Sequence, residues 1–412
     1  MSDTHQPLIK PMLLNDGQEV PPVIANILRP STLFEVGTFS ELIPSRRGGN
    51  SCVIRLSNPT LDQFTGKPDL AYKIILGAQR QVAFEEHAIQ RAICAYSYSE
   101  LGDVIPPSAM PPYYFDNTDK DPPYSLIGME WIPNDAKDTT PAIKKAENMI
   151  TTLNKIHSTK PEGELHKILT SDSRLKRIFG ASNRGLEQTR AEIKALRNWL
   201  PNISTKIPSN FPNLSKDLDH LLSSILPDSD HNDWSYVVHG DLGIHNFLFP
   251  TENEAKIIDF GETHLGNRME DWARLLNHAM TNDYELYISL LSEFNNQWEE
   301  SDLPLEKFHQ LTAFRIIKAV QLAHIFHTKS ENESTGDIKL YEVKVNYWLN
   351  VADELAMGLR ENGNSTEKFT SPLGIEEFLR ERLDAGDTKA PDLLDKYTEY
   401  MSSFSFPPTP EP

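Results

Sequence analysis

The residues best suited to chemistry lie in YVVHGDLGIHNFLF, at 236–249, and in AKIIDFGE, at 255–262. Transfer of a phosphoryl group to a hydroxyl needs a carboxylate that orients the hydroxyl and accepts its proton. It also needs oxygen ligands that hold Mg²⁺ against the phosphates. Asp241 is suited to be the base, and Asn246 and Asp259 are suited to be the metal ligands. Because short apolar runs flank the polar segments, two adjacent loops can supply all three.

The order and spacing of these residues are specific. His-Gly-Asp at 239–241, Asn five residues after the Asp, and Ile-Asp-Phe-Gly at 258–261 together resemble the aminoglycoside phosphotransferase (kinase-like) family, in which His-Gly-Asp stands where protein kinases have His-Arg-Asp. The resemblance is clear over about 32–276 and only architectural over the later helices. It implies ATP-dependent phosphorylation of a small-molecule hydroxyl, with Mg²⁺ as the metal and GTP open as another nucleotide. It also implies that His239 supports the catalytic loop.

The same resemblance requires a lysine paired with a helical glutamate in the sheet-forming part of the chain. Lys73 lies in the predicted strand LAYKII, and Glu85 and Glu86 lie in the helix that follows. A lysine buried beside phosphates needs an anionic partner to hold its position and charge. Glu86 is the expected partner, with Glu85 as the alternative, because Glu86 shares its helix face with Ile89 and Ile93.

Two further segments are candidates for nucleotide contacts. One is the turn before a predicted strand, where small residues allow backbone N–H groups to approach phosphate: Gly48, Gly49, Asn50 and Ser51. It is similar to the loose loop of the family, although a plain hairpin turn explains it equally well. The other is LIGMEWIPN, which resembles the linker between the two lobes. There the backbone groups of Glu130 to Ile132 would bind adenine, and Met129 and Trp131 would add apolar surface.

The segment after Asp259 reads GETHLGNRMEDWARLL. The family commonly carries an Asp at the start of a helix here, and Asp271 matches that position. By resemblance it would anchor the catalytic loop through backbone N–H bonds. The short separation of Asp259 and Asp271 leaves little room for the long activation segment of a protein kinase, and no Ala-Pro-Glu is present. His157, at the end of a predicted helix, is interpreted as structural.

The elements that must position these residues are of two kinds. Short β-like runs with one inserted helix precede Pro133, and helical periodicity dominates beyond it. We therefore expect an α+β, bilobal protein-kinase-like fold, with a small antiparallel β-sheet N-lobe and a large, mainly helical C-lobe. The predicted divisions are an N-terminal arm at 1–30, the N-lobe at 31–133 with a hinge near 129–133, the C-lobe at 134–368 with catalytic and metal loops at 236–276, and a C-terminal extension at 369–412 with a disordered end.

The excess of acidic residues argues against two classes of partner, nucleic acids and anionic membranes. The 412 residues include 40 Lys and Arg against 59 Asp and Glu, a net charge of −19. A nucleic-acid surface needs clustered basic residues, and anionic membranes repel an acidic protein, so neither is expected as a partner. No run of 18 apolar residues is present that could span a membrane. The two cysteines, Cys52 and Cys94, suit a reducing compartment, so a cytoplasmic protein is expected.

The acceptor is predicted only by class. Negative charge favours a cationic ligand by long-range steering. A cationic, polyhydroxylated acceptor is therefore expected, for example an aminoglycoside-like antibiotic or metabolite, with antibiotic resistance as the corresponding role. The acidic residues in segments expected to shape its pocket are Glu262, Glu270, Asp283, Glu285, Glu293, Glu299 and Glu300.

Other interpretations stay open. One is a nucleotide-binding pseudokinase or regulatory module, which usually lacks a member of the set Lys73, Asp241, Asn246 and Asp259. Another is a kinase-fold enzyme that acts on protein or transfers AMP. A zinc site built from His239, Asp241 and His245 lacks further ligands at a recognisable spacing. The sequence does not indicate an oligomeric state.

Overall fold

A computed structural model describes most of the chain. The described residues are 38–44, 51–57, 69–76, 86–89, 114–117, 124–158, 167, 184–203, 213–221, 234–299, 304–332, 337–361 and 374–403. Four predictions fall on residues outside these ranges. They concern the N-terminal arm, the phosphate-loop residues Gly48, Gly49 and Asn50, the alternative partner Glu85, and the disordered end after Ser403.

The N-lobe is built on one antiparallel sheet. Its order is β1-β2-β3-β5-β4. The strands are β1 (Thr38–Pro44), β2 (Ser51–Ser57), β3 (Asp69–Leu76), β4 (Tyr114–Asn117) and β5 (Tyr124–Glu130). Because successive side chains of a strand alternate between faces, Lys73 shares its face of β3 with the buried Ala71 and Ile75. These two pack with Ile127 and Met129 of β5, so Lys73 emerges at the margin of a small apolar cluster.

Helices form the C-lobe. They are α1 (Ala142–Ser158), α2 (Arg184–Ile203), α3 (Leu214–His220), α4 (Met269–Asn282), α5 (Tyr284–Glu299), α6 (Pro304–Asn332), α7 (Ile338–Glu361), α8 (Ile375–Asp384) and α9 (Ala390–Ser403). One continuous core joins them. Apolar residues at helical spacing put Met149, Leu153 and Ile156 of α1 into that core. Together with the sheet, these helices confirm the predicted α+β, bilobal, kinase-like fold.

Two short antiparallel strand pairs flank the loops that carry Asp241, Asn246 and Asp259. Strand β6 (Tyr236–Val238) pairs with β9 (His264–Gly266), and β7 (Phe247–Thr251) pairs with β8 (Glu254–Ile257). Two side chains of helix α1 hydrogen-bond to the backbone of the β7–β8 pair and hold it in place. Asn148 Nδ2 donates to Glu252 O at 2.9 Å, and Thr152 Oγ1 donates to Ala255 O at 2.9 Å. The loop between β6 and β7 therefore ends at a strand pair that is held in place, and the loop after β8 begins there.

The C-terminal extension packs as part of the C-lobe. Phe378 of α8 stacks on Tyr347 of α7, with ring centroids 3.7 Å apart. Arg382 is buried and donates to Thr281 O at the end of α4, at 3.3 Å. Tyr397 of α9 lies edge-on to Tyr284 of α5 at 5.0 Å. No helix among the described residues is long and apolar enough to cross a membrane.

Candidate active site

A lysine and two carboxylates meet between the lobes. Lys73 Nζ lies 2.8 Å from both carboxylate oxygens of Glu86 and 2.8 Å from Asp259 Oδ1. Glu86 is 2% exposed and Lys73 is 14% exposed, whereas Asp259 is 44% exposed. Burial alone would lower the pKa of Lys73, but the charges of Glu86 and Asp259 raise it above its ordinary value. Lys73 is therefore held as a cation at the edge of the cleft.

Burial acts on the two carboxylates in the opposite sense. It raises the pKa of Glu86, and the Lys73 charge offsets only part of that effect. At Asp259 burial would also raise the pKa, but Lys73 holds it below the ordinary value. Asp259 is thus an anion with an exposed face, as a metal ligand must be.

The backbone at Asp259 is unusual. With φ 69° and ψ 64°, it is the one non-glycine residue at positive φ among the described residues. Asp tolerates this left-handed conformation better than most residues, yet strain there persists only where the surroundings impose it. The residue before it is fixed to the other loop, because Ile258 N donates to Asn246 O at 3.0 Å. The conformation turns the chain after β8 so that the Asp259 side chain reaches Lys73.

The loop after β6 is anchored by the buried Asp271 of α4. Its carboxylate accepts bonds from His239 N at 2.8 Å, Gly240 N at 2.9 Å and His157 Nε2 at 3.0 Å. Burial would raise the pKa of Asp271, but the bond and charge of His157, followed by His239, hold it below the ordinary value. His239 Nε2 also donates to Ile258 O at 2.9 Å, which ties the loop to β8.

Glycine is required at position 240. Its φ is +80°, and a Cβ there would lie 2.4 Å from Glu262 O. Any side chain would push the two loops apart.

Asp241 and Asn246 lie at the two ends of this loop. Asn246 Nδ2 donates to Asp241 O at 2.8 Å, which leaves its Oδ1 as an oxygen acceptor. The Asp241 carboxylate is 36% exposed and accepts a hydrogen bond from Arg274 Nη2 of α4. Sequence reasoning did not single out Arg274. The available signal was its place one helical turn after Asp271, where it shares a helix face with that residue.

The donor set fits Mg²⁺ better than a softer metal. Asn246 Oδ1 and the Asp259 carboxylate are hard oxygen ligands, and Mg²⁺ typically takes few protein ligands besides phosphate oxygens and water. Within the described ranges no group of three or more His, Cys, Asp or Glu side chains is arranged to hold a metal ion. The residues present therefore fit a magnesium ion shared with a phosphate ligand.

The hinge candidate lies where β5 ends. Trp131 N donates to Asp69 O at 3.2 Å, and Leu70 pairs with Glu130. Because antiparallel ladder bonds alternate, the backbone groups of Glu130 face the edge of β5 opposite β3. Ile132 is buried two residues beyond the end of β5. Ser51 begins β2, opposite Ile75.

Part of the chain matches the model of a known protein family. Residues 112–304 match the model of the APH family, described as the phosphotransferase enzyme family. The match includes the catalytic loop, the metal loop and Asp271. Over these residues, which are somewhat less than half of the chain, the sequence is similar to the phosphotransferase enzyme family. The chain is accordingly an enzyme of that class.

Solved structures of similar proteins share little sequence with this chain. An amicoumacin kinase in complex with AMP-PNP, Ca2+ and Ami is 14% identical, with 78% of this chain and 88% of that chain covered and a TM-score of 0.48. The aminoglycoside phosphotransferase APH(4)-Ia is 10% identical, with 83% and 98% covered and a TM-score of 0.48. A Plasmodium vivax ethanolamine kinase is 13% identical, with 79% and 85% covered and a TM-score of 0.46. A search of curated proteins returned no match.

A buried charged cluster underlies the metal loop of this phosphotransferase. Glu270 Oε1 lies 2.7 Å from Lys318 Nζ, and Glu270 Oε2 lies 3.2 Å from His264 Nε2. His264 Nδ1 lies 2.8 Å from Glu262 O. Both ring nitrogens face acceptors, so the geometry calls for a doubly protonated imidazolium. Burial would lower the pKa of His264, but Glu270 raises it to about 9.

This cluster corrects one expectation for the acceptor pocket. Glu270 is 4% exposed and paired with Lys318, so it does not face a ligand. Asp283 is a helix-capping residue, because its Oδ1 accepts a hydrogen bond from the N–H of Leu286 at the start of α5. Glu262 is exposed, and loss of hydration, followed by the Asp241 charge, raises its pKa. Of these three, Glu262 alone is an exposed acidic residue close to Asp241.

Proposed function

We propose that the protein is an ATP- and Mg²⁺-dependent O-phosphotransferase that moves the γ-phosphoryl group of ATP onto a hydroxyl of a small molecule. The observation that carries the proposal is the contact between Lys73 of the N-lobe and Asp259 of the C-lobe, 2.8 Å across the cleft. In this proposal Lys73 is the cation that binds phosphate and Asp259 is the anion that binds the metal, and both lie beside the anchored loop that carries Asp241. Phosphoryl transfer depends mainly on positioning and charge, and this arrangement supplies both.

The nucleotide would lie between the lobes. Glu130 and Ile132 would bind adenine through their backbone groups, and Lys73 would bind phosphate oxygens while Glu86 fixes its position. Asn246 and Asp259 would hold Mg²⁺, which neutralises charge on the phosphates when bound. Residues 48–51 complete the nucleotide site in this proposal.

Asp241 would act on the acceptor. Its carboxylate orients the hydroxyl and accepts the proton as the oxygen attacks phosphorus. The bond between the γ-phosphorus and the bridging oxygen breaks, and ADP leaves. His239 and Asp271 would act indirectly, because they hold the backbone of the loop and not the substrate.

A small acceptor is favoured by the short connection after Asp259. A 3₁₀ turn at Phe260–Glu262, strand β9 and the start of α4 occupy it completely. No residues remain there to form a platform for a protein substrate, which disfavours the protein-kinase alternative.

A second part of the proposal concerns the charge of the acceptor. We infer a cationic, polyhydroxylated molecule such as an antibiotic-like amine, whose ammonium group would contact Glu262 while a hydroxyl lies at Asp241. The net charge of −19 would speed its approach. A cytoplasmic location, where ATP and Mg²⁺ are supplied, belongs to the same proposal.

The test is a screen for nucleotide product. Purified protein is incubated with MgATP and a panel of hydroxylated cationic, neutral and anionic metabolites and antibiotics, followed by assays for ADP and AMP and mass spectrometry of the acceptor. ADP with a phosphorylated acceptor supports the proposal, and AMP would indicate adenylyl transfer instead. If the preferred acceptor is neutral or anionic, or if its KM does not change with ionic strength, the cationic part is wrong while phosphoryl transfer stands.

A further inference from the structure

Helix α4 runs along the catalytic loop and contacts it at successive positions. Asp271 bonds the backbone of residues 239 and 240, and Arg274 bonds the Asp241 carboxylate. His278 Nε2 then lies 3.1 Å from His245 Nδ1. Residues three and four apart on a helix share a face, so one face of α4 is matched to the loop.

Helix α4 supplies the positive charge that lies beside the Asp241 carboxylate. The loop from His239 to Asn246 contains no Lys or Arg, and Arg274 is the cation paired with Asp241. Its neighbours Trp272, Ala273 and Leu275 are completely buried, so the backbone that carries Arg274 is firmly held. The Arg274 side chain is 24% exposed and the Asp241 side chain is 36% exposed, so the pair lies at the surface of the cleft.

We propose that Arg274 is a positioning residue that fixes the orientation of the Asp241 carboxylate toward the acceptor hydroxyl. This inference rests on the proposed function, because it assigns Asp241 as the base. A carboxylate on a loop can rotate about its own side-chain bonds, and a guanidinium donor from a rigid helix restricts that rotation. The bond from Arg274 is made to Oδ1 of Asp241, so the other carboxylate oxygen, Oδ2, can accept the proton of the acceptor hydroxyl.

Removal of Arg274 should reduce turnover and spare nucleotide binding. A misplaced base slows transfer by about 10²-fold. The hydrogen bond of Arg274 goes to Asp241 and not to a residue assigned to ATP. The variant Arg274→Met keeps the length of the side chain without its charge or donors. Arg274→Lys keeps the charge but not the planar fork, so it should recover part of the lost kcat. Arg380→Met is the matched control, because Arg380 is an exposed arginine of α8 paired with Glu376.

The decisive experiment is a double-mutant cycle with Asp241→Asn. If Arg274 acts through Asp241, Arg274→Met lowers kcat in the wild-type background and adds no further loss in the Asp241→Asn background. Melting temperature and the KM for ATP should stay near the wild-type values. If the two losses multiply, or if kcat of Arg274→Met equals that of wild type, the proposal is overturned. Should Arg274→Met fail to fold, the same cycle is run with Arg274→Lys, and a wild-type kcat for that variant overturns it.

The outcomes separate this inference from the proposed function. If wild-type protein transfers phosphate, Asp241→Asn lowers kcat to a residual level that can still be measured and the two losses multiply, only the role of Arg274 is wrong. If wild-type protein transfers phosphate and Asp241→Asn leaves kcat unchanged, the assignment of the base is wrong, and the role of Arg274 is wrong with it.

Discussion

The buried cluster of Glu270, His264 and Lys318 makes stability depend on pH in a defined direction. The pKa of His264 is 6.5 in the unfolded chain and about 9 in the folded protein. Because the folded pKa is the higher one, the contribution of protonated His264 is complete below pH 6.5. It is lost as the pH rises through about 9. A displacement of this size corresponds to about 3 kcal/mol, which falls by about 1.4 kcal/mol per pH unit inside the window.

The perturbation that isolates this effect is His264→Gln. Glutamine can still donate a bond to Glu270 but does not titrate. Urea unfolding of both proteins is measured from below pH 6.5 to above pH 9, and the variant is subtracted from wild type at each pH. Titration of other groups, such as exposed lysines and tyrosines, cancels in this difference.

The stability difference between wild type and His264→Gln should shrink by about 3 kcal/mol as the pH rises across the window. A difference that is constant, or that grows with pH, would refute the assignment of His264 as a buried imidazolium. Since His264 Nδ1 bonds the Glu262 carbonyl, the same rise in pH should also loosen the metal loop.

Three further outcomes are expected. Lys73→Met should weaken MgATP binding in calorimetry and destabilise the fold by about 3 kcal/mol at neutral pH, because Glu86 is left buried and unpaired; a stability equal to wild type would contradict the ion pair. Asp259→Asn should reduce the Mg²⁺ dependence of ATP affinity while keeping a residue that tolerates positive φ; unchanged metal dependence would make Asp259 a structural residue. Asp271→Ala should cost about 3–5 kcal/mol in urea unfolding and abolish turnover, since it removes three hydrogen bonds at a buried carboxylate; an active and stable variant would remove its anchoring role.

Much of the candidate site could be predicted because its residues lie in short segments with a recognisable spacing. Asp241, Asn246 and Asp259 belong to two short loops whose spacing is fixed by adjacent strands. Lys73 and Glu86 follow from the alternation of one strand and the periodicity of one helix. The α+β, bilobal architecture follows from the change from short β-like runs to helical periodicity.

The remaining features depend on tertiary pairing. Lys318 and Glu270 are separated by 48 residues, and no local pattern connects them. Glu270 was expected at the acceptor pocket, but α4 is buried on nearly every side, so its polar residues point into the protein. The role of Arg274 depends on how α4 lies against the loop, and spacing within the helix does not specify that.

The central claim is that Asp241 accepts the proton of the acceptor hydroxyl. The direct test compares wild type, Asp241→Asn and the control Asp392→Asn, an exposed carboxylate of α9, with the acceptor found in the screen. Mass spectrometry counts phosphorylated product, and calorimetry measures MgATP binding. The account predicts that Asp241→Asn loses on the order of 10²-fold or more in turnover, that it binds MgATP like wild type, and that the control is fully active. Turnover of Asp241→Asn within a few-fold of wild type would contradict it.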